Sequence, residues 1–139
     1  METLKEDLTK EEREIFENTT IYNIMKSMLA EYYKPGMKGK AEEQFACMIE
    51  HAAATHGMQA EFDRGTELLE KPKKTLADVI EIELLTFKLL MTDAIHGLRT
   101  LEGRTSEQLE GTEKEMRKII AETEQLLEDI KQKDDGSAI

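Results

Sequence analysis

The stretch "LEGTEKEMRKIIAETEQLLEDI", residues 109–130, decides the fold class. Its apolar residues Leu109, Met116, Ile119, Leu126 and Ile130, with Thr112 and Thr123, follow one another in steps of three and four. A helix completes a turn every 3.6 residues, so this spacing draws one stripe down one helix face. A strand needs alternation with β-branched residues, and neither this stretch nor the rest of the chain has it. The same spacing recurs upstream in Asn18, Ile21, Met25, Met28 and Tyr32. A poorer version runs through Phe45, Met48, Ala52, Thr55, Gln59 and Phe62. A fourth stretch carries Val79, Ile82, Leu85, Leu89, Leu90, Leu98 and Leu101, and its apolar arc is the widest.

Punctuation divides these stripes. "TKEE" at 9–12, "TLAD" at 75–78 and "TSEQ" at 105–108 each place a threonine three residues before an acid or amide. In that arrangement each side chain satisfies a backbone N–H of the first helical turn. Pro35 stops a helix near Tyr33, Pro72 stops one near Glu70, and Gly103 follows Leu101. The pattern predicts helices at 10–33, 40–70, 76–101 and 106–131. Gly57 and Gly65 are the weak points of the second. Four such helices joined by short turns make an all-α, antiparallel (up-down) four-helix bundle. One domain spans 1–131. Residues 132–139 have nothing to bury and are expected to fray.

The 139 residues carry a formal net charge of −11, with 39% hydrophobic and 35% charged side chains. That field repels nucleic acid and anionic membranes. Two basic stretches, "KPGMKGK" at 34–40 and "KPKK" at 71–74, fall in turns at opposite ends of an up-down fold and do not join into one groove. The opening "METLKEDLTKEERE" lacks the apolar centre of a signal peptide, and no run reaches the roughly 18 apolar residues of a membrane span. The single cysteine, Cys47, permits no intrachain disulfide and lies on a polar face as a passive thiol. A cytoplasmic protein follows as the expectation.

"HAAATH", residues 51–56, is the chain's one histidine pair in close sequence. At about 100° per residue the two rings lie roughly 140° apart and cannot grip one ion, as a spacing of four would allow. His56 shares the face of Phe45, Ile49 and Ala52, so a hydrogen bond to a neighbouring side chain is expected. With Glu14, His56 and Glu83, the "DAIH" pair Asp93 and His96 resembles the carboxylate–histidine set of ferritin-like di-metal bundles, with Asp where that family has Glu. The resemblance implies a metal site built from Glu14, His56, Glu83, Asp93 and His96. It covers the helical architecture and this one motif, and the fourth helix offers no carboxylate on its stripe.

Counted from the turns, Asn18, Thr55, His56, Thr86 and Thr123 fall near one level of the bundle, with Glu83 a turn from Thr86. Three readings stand: each threonine bonds its own helix at i−4, the residues form a register-setting polar layer, or they line a small-ligand site. Eight methionines fill irregular cores and also recur on adaptable binding surfaces. The arc of the third helix leaves an edge at Phe87, Met91 and Leu98, beyond what a corner helix buries, which a second chain would cover.

No phosphate loop, nucleophile triad or zinc spacing occurs. The sequence therefore points to a non-catalytic, acidic helical-bundle protein without a cofactor. It acts through protein–protein interaction, by self-association as a homodimer or as an accessory or regulatory partner. The alternative is the ferritin-like metal-binding bundle.

Overall fold

The computed structural model describes residues 5–32, 40–100 and 105–137. Among them are six α-helices and no strand: α1 Lys10–Glu17, α2 Thr20–Tyr32, α3 Lys40–Thr55, α4 Gln59–Leu69, α5 Leu76–Thr100 and α6 Ser106–Ser137. The turns expected at 33–39 and after Thr100 lie outside the described residues. So do Leu101 and the side chains of Met28, Tyr32, Phe45 and Met48. All three threonine boxes form. The Oγ1 atoms of Thr9, Thr75 and Thr105 accept from the N–H groups of Glu12, Asp78 and Gln108, whose side chains accept in return.

The helix expected at 10–33 is two helices. At "ENTT", 17–20, three short polar side chains compete with the backbone and break it. Asn18 Nδ2 donates to the Glu14 carbonyl at 2.8 Å. Thr19 Oγ1 donates to the Phe16 carbonyl and accepts the Tyr22 N–H, which closes α1 and caps α2. Asn23 Nδ2 donates to the Glu17 and Thr19 carbonyls. Asn18 is therefore an exposed cap residue and not a stripe position.

The helix expected at 40–70 also breaks, at the first of its two glycines. Gly57 sits at φ +66, in the left-handed region where a Cβ is strained. The Met58 N–H reaches back to the Ala53 carbonyl at 2.9 Å, the long bond of a Schellman ending. Gly65 stays inside α4, where an added Cβ would lie 3.9 Å from the Leu85 side chain. Gly57 and Gly111 both face open space, yet they answer substitution with opposite signs. Gly57→Ala lowers the unfolding free energy by about 1 kcal/mol through backbone strain. Gly111→Ala, in regular helix, raises it by about 1 kcal/mol. Urea denaturation of both variants measures this, and a shared sign refutes it.

The fourth helix runs to Ser137, six residues past its expected end at Lys131. Its register against α5 is set by three ion pairs. Arg99 pairs with Glu113, Lys88 with Glu124 at 3.7 Å, and Glu81 with Lys131 at 3.6 Å, and the residue numbers of each pair total 212. The helices are antiparallel, and the start of α5 at Leu76 stands level with position 136. Helix α6 ends where α5 begins. On the other side Arg64 of α4 grips Glu81 at 2.8 Å, so one carboxylate bridges three helices. Burial opposes the charge of Glu81, but the Arg64 hydrogen bond and charge, with Lys131, hold its carboxyl below the usual range.

Helix α5 is the hub of the fold, and twelve of its 25 residues are buried. Its Val79, Ile80, Leu84, Phe87 and Leu90 join Phe16, Ile21 and Met25 of α1–α2 and Ile119 and Leu127 of α6 in one apolar cluster. Leu89 packs with Ala52 and Ala53 of α3, while Ile82 and Leu85 pack with Leu68 of α4. Most of the wide apolar arc is thus covered within the chain. Phe87, expected at a free edge, is 0% exposed and belongs to the intrachain core. The other two residues of that edge, Met91 and Leu98, are half-buried.

Candidate functional site

The polar residues singled out in the sequence do not assemble into one layer. Asn18 and Thr55 are exposed, and the Thr55 hydroxyl lies 3.3 Å from His51 on its own helix. Thr86 donates to the Ile82 carbonyl and Thr123 to the Ile119 carbonyl, both at 2.8 Å. Each spends its hydroxyl on its own helix four residues back, and neither reaches across the core.

His56 does reach across. It sits at the α3–α4 break, where the Schellman ending turns the chain, and its Nε2 lies 3.0 Å from Asp93 Oδ1 of α5. The His96 ring stands edge-on to it, centroids 5.1 Å apart. No hydroxyl or thiol is hydrogen-bonded to His56 among the described residues. Of the residues in the ferritin-like set, His56, Asp93 and His96 come together. Glu14 is exposed on α1, and Glu83 lies ten residues along α5 from Asp93, about 15 Å away. Among the described residues no group of three or more acidic, histidine or cysteine side chains is arranged to hold a metal ion.

Glu83 has a different environment. It is 3% exposed, and its Oε2 has no hydrogen-bond partner among the described residues. Burial pushes its carboxyl up to about 7. Asp78, one turn earlier, is also buried, yet it stays below the usual range. Burial opposes its charge, but the backbone and hydroxyl of Thr75 and the Lys71 ammonium satisfy it.

Two apolar hollows follow one another along α6, where it faces the α1–α2 arm. The first, about 430 Å³, lies between Leu126 and Glu122 on one side and Ile15 and Thr19 on the other. The second, about 390 Å³, lies between Met116 and Ile24, with Phe87 and Met91 on its floor and Gly111 at its edge. Ile15, at the outer end, is 45% exposed. The sequence hid this valley because its opposite walls belong to segments about 90 to 110 residues apart in the chain. The one visible signal was Gly111, a helix-weakening residue with no turn to make.

Set beside known proteins, the chain matches no family model, no curated protein and no solved structure.

Proposed function

We propose that this chain is a non-catalytic, acidic helical protein that works by binding another protein, in an accessory or regulatory role or through a second copy of itself. The observation that carries the reading is the apolar valley along α6, with Met91 and Met116 among its lining residues. Flexible thioethers suit a surface that adapts to a partner. In this reading the six helices stand as an up-down bundle of four columns, α1–α2 and α3–α4 each being one broken column. The antiparallel pairings of α5 with α4 and with α6 support that arrangement.

A homodimer through Phe87 loses its first residue to the intrachain core, which leaves Met91 and Leu98 as what such a face offers. The ferritin-like alternative is weaker, because Glu14 and Glu83 lie apart from the His56–Asp93 pair. The net charge of −11 argues against nucleic acid or an anionic membrane as partner. No helix of the described residues is long and apolar enough to cross a membrane. A reducing, cytoplasmic setting fits one lone cysteine.

Affinity capture from the native cell, with metals assayed in the same sample and solution mass taken by light scattering, tests the reading. A stoichiometric partner protein, or a mass of two chains, is expected. A monomer that retains one or more metal ions per chain after desalting overturns it in favour of the metal-binding bundle.

A further inference from the structure

We propose that the valley between α6 and the α1–α2 arm is a docking groove for an amphipathic helix of a different protein, one that carries basic residues a heptad apart beside an apolar stripe. The inference rests on the protein-binding reading above and names the site and the chemistry of the partner.

Three observations converge on it. The two hollows lie end to end between residues 111 and 126 of α6, a span of about 22 Å, which matches a helix of four turns. Their charged lining residues, Glu115 and Glu122, are both acidic and stand seven residues apart on one face of α6. Neither is engaged in an ion pair or side-chain hydrogen bond among the described residues, whereas Glu113 and Glu124, on the α5 side of the same helix, are both paired. Opposite-sign charges flanking an apolar seam select and orient a helix partner.

The rim also carries Gly111, whose Cβ position is empty and whose conformation any residue could adopt. A missing side chain at the rim lets a partner backbone come close. A second copy is a poor occupant, because it would bring another net charge of −11 to an acidic rim.

The chain contains no tryptophan, so a tryptophan-bearing peptide can be read without background. The probes are two synthetic amphipathic helices of about four turns, one leucine–lysine and one leucine–glutamate, each with a single tryptophan on the apolar face. The leucine–lysine peptide is expected to bind one per chain with a blue-shifted, saturable signal, and the leucine–glutamate peptide not to bind. Gly111→Leu fills the groove without changing charge and should weaken binding at least tenfold while circular dichroism keeps its helical minima. Glu115→Lys with Glu122→Lys should reverse the preference between the two peptides, a result that mere loss of folding cannot mimic.

Unchanged affinity in Gly111→Leu overturns the groove and leaves diffuse acid–base attraction. A wild type that runs as a dimer and becomes a monomer on Gly111→Leu overturns the choice of occupant in favour of a second copy. A cellular partner captured equally by wild type and Gly111→Leu also overturns the groove, while the broader protein-binding reading stands.

Discussion

Glu83→Met raises the unfolding free energy by about 4 kcal/mol at pH 8, and by about 1 kcal/mol at pH 4.5. The wild-type carboxyl is buried, its Oε2 has no hydrogen-bond partner among the described residues, and its pKa is pushed up to about 7 from an ordinary 4.5. The native state therefore holds the proton more tightly than the unfolded chain does. Protonated below about pH 4.5, Glu83 costs only an unmatched buried oxygen. Between pH 4.5 and 7 the native state loses stability, because the carboxyl ionises in the unfolded chain while the native one keeps its proton, and above 7 the loss is complete. Asp78 and Glu81 run the other way, since their lowered pKa values support the fold above the usual carboxylate range and are lost in acid. Those terms are common to both proteins and cancel in the difference. Urea denaturation of wild type and variant at pH 4.5, 6 and 8 gives the profile. A gap that shrinks toward pH 8 would mean that a partner stabilises the carboxylate.

Phe87→Ala costs about 3–5 kcal/mol, the range for emptying a fully packed aromatic site. Its ring is 0% exposed in the cluster that joins α5 to Met25 of α2 and Ile119 of α6, so truncation forfeits those contacts. Met91→Ala, one turn on and half-buried at the groove floor, should cost much less. Phe87→Glu is expected to unfold the chain, because it places an unpaired charge in the same cluster. Urea midpoints, with solution mass taken alongside, decide the matter. A folded Phe87→Glu protein of lower mass than wild type would return Phe87 to an interface between chains.

Local patterns in the sequence determined the helical class, the three capped starts and the weakness at Gly57, because these are decided within a few residues along the chain. A threonine three residues before its acid or amide closes a box in any helical protein, and the spacing of Leu109, Met116, Ile119 and Leu126 fits nothing but a helix. The break at "ENTT" was local as well. Asn18 and Thr19 are cap-forming residues, and taking Asn18 for a stripe position hid their hydrogen bonds to Glu14, Phe16 and Tyr22.

Tertiary structure alone decided what depends on neighbours in space. The wide arc of α5 states how much surface must be covered, but periodicity cannot say whether its own chain or another covers it; α1–α4 and α6 cover most of it here. Thr86 and Thr123 satisfy themselves on their own helices, so a polar level counted from the turns did not imply a network. His56 needed a partner, and only the α3–α4 break brings it to Asp93, 37 residues away. The valley along α6 is lined by residues of four helices, α1, α2, α5 and α6 itself, and a surface of that kind exists only once their packing angles are set. Sequence spacing fixes which face of a helix is apolar. Packing against distant segments fixes which part of that face stays open to a partner.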